Sequence, residues 1–297
     1  VDIRTLPFDE ALKYLRENGE PADPRDDIDA ASLRRRFPRL ADVETTELSI
    51  TTPIGRQPAR VYRDPAATPA GRALVWVHGG AFIGGHLDMP ESNWVAMELA
   101  SRGIPVLAVD YTKCLGDAHF PVPNDDVLAA WLFARANAQQ LFGVPAEVLH
   151  LGGASAGATL TASAVVRLRD DGDALPAGLV SVYPAVHPDG SDPSVLPDPA
   201  DPRTGIALNY AGSTASLADP RAFAGFDTGE GFPPTLVVVC ELDGLRPSGE
   251  AFADMLRRAG IDVTEHLEPG ADHAHINEPS DPTALRTIEE IASWLTA

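Results

Sequence analysis

From residue 73 onward the chain alternates short, continuously apolar runs with longer segments of helical spacing. The runs are Ala73-Leu74-Val75-Trp76-Val77, 104–109, 148–151, 178–182 and 235–240, and helical stretches near 91–102, 124–142, 156–170, 248–259 and 282–296 fall between or after them. A run that is apolar at every position fits a strand buried on both faces. Such strands alternating with helices predict a mostly parallel sheet with helices on both sides, an α/β fold. Ahead of it the pattern differs: Glu47-Leu48-Ser49-Ile50-Thr51 and Ala59-Arg60-Val61-Tyr62 alternate polar and apolar residues, as antiparallel edge strands do. Residues 7–17 and 29–37 have the spacing of two short helices, the second with Asp29 as its N-cap. The alternation breaks between 184 and 233, where Pro, Asp, Gly and Ser crowd together, as in His187-Pro188-Asp189-Gly190-Ser191-Asp192-Pro193. A connection this long inside a compact domain is usually functional, often a lid. Ile206, Leu208, Tyr210 and Phe223 give it apolar anchors.

Composition narrows the function. A chain of 297 residues, 44% hydrophobic, has enough material for two ordinary domains or one large α/β domain. A formal net charge of −20, with Lys13 and Lys113 the only lysines, sets the chain against nucleic acid and anionic membrane as partners. No apolar run reaches the length of a membrane span, and Val1-Asp2-Ile3-Arg4 lacks the shape of a secretory signal, so a cytoplasmic protein is expected. Two cysteines are too few for a disulfide framework. Cys240 ends an apolar run and reads as packing, whereas Cys114 lies in a loop and could be exposed. His86, His119, His150 and His187 are scattered without ligand spacing, so no metal and no cofactor are expected.

The chemistry centres on Gly153-Ala154-Ser155-Ala156-Gly157, a G-x-S-x-G pentapeptide between a strand-like and a helix-like run. The sharp turn from strand to helix leaves no room for flanking side chains and holds the serine oxygen out at the edge of the sheet. A serine hydroxyl attacks only when a base takes its proton, and that base needs a third group to orient it. In the order Ser, acid, His, the acid is Asp243 in Glu241-Leu242-Asp243-Gly244, with Glu241 as its rival at the strand end. The base is His273 in Gly270-Ala271-Asp272-His273-Ala274-His275, with His275 as competitor, and Asp272 or Glu268 could pair with it locally. His78-Gly79-Gly80-Ala81-Phe82 follows the strand ending at Val77. The amides of Gly79, Gly80 or Ala81, with that of Ala156, would hold a developing oxyanion, and His78 would organise the loop.

These residues resemble the hormone-sensitive lipase family of α/β-hydrolases, the family IV bacterial esterases. His78-Gly79-Gly80-Ala81-Phe82 is similar to H-G-G-G-[FW], Gly153 to Gly157 to G-D-S-A-G, Asp243-Gly244-Leu245-Arg246 to D-P-L-R, and Gly270 to His273 to G-x-x-H. The resemblance implies an α/β-hydrolase sheet with a helical cap, made of helices within 1–42 and an insertion at about 184–228 of a core spanning 43–297. It also implies a serine carboxylic-ester hydrolase with Ser155, Asp243 and His273 as triad, acting without cofactor on a small or medium ester. An amidase, formamidase or lactonase would use the same groups, a non-catalytic ligand sensor would keep only the pocket, and a homodimer is left open. Phe8, Leu12, Leu15, Leu33 and Phe37 are candidate apolar lining of the cap. The family's D-Y-R-L-A-P-E segment is here Asp110-Tyr111-Thr112-Lys113-Cys114-Leu115-Gly116, without its arginine and glutamate, so the packing beside the site is expected to differ.

Overall fold

A computed structural model describes residues 6–21, 28–196 and 204–297. In chain order these form α1 (Phe8–Asn18), α2 (Ala30–Arg36), β1 (Glu44–Thr52), β2 (Gly55–Arg63), β3 (Ala73–Val77), α3 (Asn93–Ala100), β4 (Val106–Val109), α4 (Val122–Ala136), α5 (Ala138–Phe142), β5 (Leu149–Ala154), α6 (Ala156–Asp171), β6 (Leu179–Val182), α7 (Gly205–Ala211), β7 (Thr235–Cys240), α8 (Arg246–Arg258), β8 (Val263–Glu268) and α9 (Pro282–Thr296). The eight strands make one sheet in the order β1-β2-β4-β3-β5-β6-β7-β8. β1 and β2 pair antiparallel, as does β2 with β4, and every other pair is parallel. This is the α/β-hydrolase fold, with its alternating strands at one edge and its continuously apolar strands in the middle.

Every residue of β3 to β7 is buried, and period two sorts them between two cores. Leu74, Trp76, Val106, Ala108, Val180 and Val182 point to the face covered by α2, α3 and α9. Val75, Val77, Leu107, Val109, Val237 and Val239 point to the face covered by α4, α6 and α8. Helix α1 packs with this second core through Leu12 and Leu15, whereas α2 packs Leu33 in the first, beside Trp94. The two N-terminal helices therefore join different cores, α1 against α7 and α2 against α3. Asp29 caps α2 through the amides of Ala31 and Ser32, and Arg39 just beyond it pairs with the buried carboxylate of Glu98.

Three expectations need adjusting. The helix anticipated over 124–142 is interrupted at Asn137 and becomes α4 and α5. The strand anticipated from 104 begins at Val106, because Pro105 has no N–H to give to the ladder. Cys114 is buried rather than exposed: its amide donates to Phe82, and burial pushes its thiol up to about 12. The connection after β6 carries α7 and two short 3₁₀ turns, with 197–203 outside the described residues. It is tied down by Tyr210, which stacks on Phe82 with centroids 4.0 Å apart and bonds its hydroxyl to Asn124 at 3.0 Å. No helix among the described residues is long and apolar enough to cross a membrane.

Burial also pushes His150 and His187 down to about 4. An imidazole kept neutral in the fold but free to protonate when unfolded lowers stability as pH falls from about 6.5 towards that depressed value. Its effect is absent above that window and constant below it. His150→Gln should therefore remove about 1.4 kcal/mol per pH unit from the slope of unfolding free energy across the window, about 3 kcal/mol in all. Urea unfolding of both proteins at a series of pH values measures this, and identical slopes would refute it.

Candidate active site

The carboxyl ends of β3, β5, β7 and β8 lie along one edge of the parallel sheet, where ligands bind in α/β folds, and each predicted group follows one of them. Ser155 lies between β5 and α6 with φ 52° and ψ −118°, a conformation an L-residue adopts only under constraint. Its amide bonds to the Val182 carbonyl at 2.9 Å, and its own carbonyl accepts from Thr159 at 3.1 Å. A methyl group on Gly157 would lie 2.1 Å from the Val77 oxygen, and one on Gly153 would lie 2.6 Å from the backbone of Gly157. The glycines are there because β3, β5 and α6 touch through their main chains. Strain is concentrated here: among the described residues the non-glycine positions with positive φ are Ala81, Phe82, Ser155 and Ala274 on these loops and Tyr183 just after β6 beside them.

Ser155 Oγ is 2.9 Å from His273 Nε2, and His273 Nδ1 is 2.7 Å from Asp243 Oδ2. A carboxylate only accepts, so Nδ1 carries the ring proton and Nε2 is left to accept from the serine hydroxyl. Asp243 is held on its other oxygen by the Leu245 amide at 2.8 Å, and only 3% of its side chain is exposed. The rivals are occupied elsewhere. Glu241 accepts from the Gly270 amide, Glu268 pairs with Arg286 and His266, and Asp272 is exposed. His275 is buried, with Nε2 2.7 Å from Thr287 Oγ1 and Nδ1 3.3 Å from Cys240 Sγ, and burial pushes its pKa down.

The loop after β3 turns over Ser155. Its Gly79 amide donates to Glu91 Oε1 at 2.5 Å, so Gly79 is unavailable to an oxyanion and that assignment is corrected. The hydrogen bonds of the described residues leave the amides of Gly80 and Ala81 unused, beside that of Ala156 at the start of α6, which has no acceptor within the helix. His78 is wholly buried behind the loop, stacked on Tyr111 and bonded to Asp110 at 3.0 Å and to the Gly79 carbonyl at 2.7 Å. Burial alone would raise Asp110, but its contacts with His78 and Lys113 outweigh that and hold it well below the usual carboxylate range. Lys113, over the Tyr111 ring at 3.8 Å, thus supplies a cation one residue beyond the position where the resemblance puts arginine.

A cavity of about 1560 Å³ opens onto Ser155 and His273. Phe8, Ala11 and Leu15 of α1 line it, with Ile206 and Ala207 of α7 and Phe223. Leu12 belongs to the core instead, and Leu33 and Phe37 pack around Trp94 in the other core, which removes all three from the expected lining. The sequence reading also missed Glu91, to which Tyr183 and Asn277 both bond, and Glu91 and Asn277 lie in the cavity wall. The only signal for Glu91 is a carboxylate in the turn ahead of a mostly apolar helix, which itself carries Glu98.

The strained turn at Ser155, the oriented imidazole beside it and the unused amides opposite form one cluster at the carboxyl edge of an α/β-hydrolase sheet. Comparison with known proteins agrees. Residues 74–277 match the family description of the α/β-hydrolase fold. An ethyl acetate hydrolase of Pseudomonas putida is 31% identical over 270 residues, covering 84% of this chain and 83% of its own. An acetyl-hydrolase of Streptomyces hygroscopicus is 31% identical over 239 residues, covering 76% and 75%. An esterase of Pyrobaculum calidifontis superposes with a TM-score of 0.75 at 25% identity over 93% of this chain and 98% of its own. The chain belongs to the α/β-hydrolase fold family, in its hormone-sensitive lipase branch, the family IV esterases.

The close approach at the turn has a direct test. Gly157→Ala drives a methyl into the Val77 backbone and should cost about 3 kcal/mol or more. Gly244→Ala meets nothing within 4 Å and should stay within about 0.5 kcal/mol. Thermal unfolding of the two variants separates these outcomes, and equal losses would show that the turn is not tight.

Proposed function

We propose that Ser155, His273 and Asp243 are the catalytic triad through which this chain cleaves carboxylic esters of small to medium acyl groups. The protein is a carboxylesterase, and the observation that carries the assignment is the continuous hydrogen-bonded line Asp243–His273–Ser155 opening into the cavity. In the first half-reaction His273 Nε2 takes the Ser155 proton as Oγ bonds to the ester carbonyl carbon. Negative charge collects on the former carbonyl oxygen, where the Gly80, Ala81 and Ala156 amides donate to it. Asp243 favours the imidazolium that forms and keeps the ring from turning. The imidazolium then protonates the departing alkoxide, leaving an acyl-Ser155, and water activated by the same Nε2 releases the acid.

The lining supports a neutral, largely apolar ester. Phe8, Leu15 and Phe223 offer apolar contact, and the charged residues around the cavity are acidic, among them Glu20, Asp272 and Asp281. We read α1 and the α7 segment as the cap that shapes the pocket. Helix α2 is set apart from that role by its place in the other core, against α3.

Incubation with p-nitrophenyl acetate, butyrate and octanoate should give turnover that is fastest on the shorter chains. Ser155→Ala and His273→Ala should each lower kcat by about 10⁴-fold or more. Mass spectrometry of rapidly quenched wild type should find the acyl group on Ser155. A wild type that neither turns over nor acylates would defeat the assignment, and turnover of the corresponding anilides in place of the esters would redirect it to amides.

A further inference from the structure

Glu91 is a carboxylate with 1% exposure, placed where an apolar side chain would satisfy packing at less cost in desolvation. Each of its polar atoms is bonded. Oε1 accepts from the Gly79 amide, and Oε2 accepts from the Tyr183 hydroxyl at 2.5 Å and from Asn277 Nδ2 at 3.2 Å. Its backbone amide donates to Asn277 Oδ1 at 3.1 Å, and its carbonyl accepts from Trp76 Nε1 at 2.8 Å. Two loops meet on this one side chain. On one side lies the loop whose next amides, Gly80 and Ala81, face Ser155. On the other side Asn277 closes the 3₁₀ turn that follows His273, and the Tyr183 ring stands edge-on to the His273 ring with centroids 4.9 Å apart.

We propose that Glu91 is a positioning residue that locks the amide loop and the histidine loop into one geometry. This rests on the esterase reading above. Gly79 is held on both sides of its Cα: Glu91 takes its N–H, while its carbonyl, in the same peptide unit as the Gly80 N–H, is bonded by the Tyr111 hydroxyl at 3.0 Å and by His78 Nδ1 at 2.7 Å. Glu91 thus anchors the peptide unit before Gly79 and Tyr111 and His78 the one after it, and together they set the direction of the Gly80 amide. The three donors on the Glu91 carboxylate come from Gly79, Tyr183 and Asn277, so a movement of either loop strains bonds to the other. Oxyanion donors must sit within a few tenths of an ångström to be effective, and an error of about 1 Å costs about 10²-fold in rate. A buried acceptor bridging the two loops supplies that tolerance without touching substrate.

The test compares wild type, Glu91→Gln and Tyr183→Phe. The glutamine variant keeps the acceptor for Gly79 but sets an amide N–H₂ against Asn277 Nδ2, and the phenylalanine variant removes one hydroxyl at constant shape. A fluorophosphonate that labels Ser155 gives the number of competent sites at its endpoint and the reactivity of each site in its rate. Per labelled site, Glu91→Gln should lower kcat for p-nitrophenyl acetate by about 10–100-fold with KM within about twofold, and should slow labelling similarly. Tyr183→Phe should show the same split at about 3–10-fold. A trifluoromethyl ketone, whose hemiketal oxygen occupies the oxyanion position, should bind more weakly in step with kcat, while a product acid should bind as before. A purely structural role would lower the labelled fraction and leave kcat and labelling rate per site unchanged, and that result would overturn the proposal. Should wild type turn over no ester, the functional reading fails, and the positioning role is still decided by the labelling rates.

Discussion

The parallel pairing of β3 with β5 in the register that sets Val77 beside Gly153 is the constraint on which the site depends. It brings the end of β3 to the same level as the turn carrying Ser155, so the amide loop cannot form without standing over the serine oxygen. The main chains then come so close that side chains at 153 and 157 are excluded. The strain at Ser155 is offset by the ladder on either side, since the Val182 carbonyl of the neighbouring β6 holds its amide. The reactive geometry is thus a result of sheet register, and the loops add only side chains to a frame already set.

Much of this was legible in the sequence because it is written in local patterns. Runs such as Thr235-Leu236-Val237-Val238-Val239-Cys240, short and rich in β-branched residues, mark strands buried on both faces, and their alternation with helices indicates which loops share an edge. Glycine spacing around Ser155 and the loop after Val77 report backbone contacts, which sequence records directly. What was not legible depends on partners far apart in the chain. Gly79 looks like an oxyanion donor until Glu91, twelve residues on, is found to take its amide. Helices α1 and α2 are alike in pattern, yet one enters the cavity wall and the other packs beside Trp94, because amphipathic spacing states that a face is buried and not against what. Cys114 and Lys113 sit in a loop by composition, and only the fold shows that this loop is inside.

An acidic chain has to keep its carboxylates apart, and the interior does so by assigning each a cation or a set of donors. Glu98 takes Arg39 and Arg102, Glu268 takes Arg286, and Asp110 takes Lys113 and His78. A buried charge that loses its partner is expensive, so these pairs specify where the connecting segments dock more than they add stability. Arg39 illustrates it: through Glu98 the segment after α2 is fixed to α3, on the face of the sheet that α3 and α9 cover.

The ring of Phe8 rests on Gly205, so the two segments that shape the cavity lean on each other there. One segment comes from the start of the chain and the other from the connection between β6 and β7, and neither contributes a strand. Sequence drift in them can remodel what enters the cavity while the register of β3 and β5 stays as it is. The chain therefore separates two tolerances to substitution: a frame whose main-chain contacts exclude even a methyl group at 153 and 157, and a wall that can change which molecules are admitted without disturbing that frame.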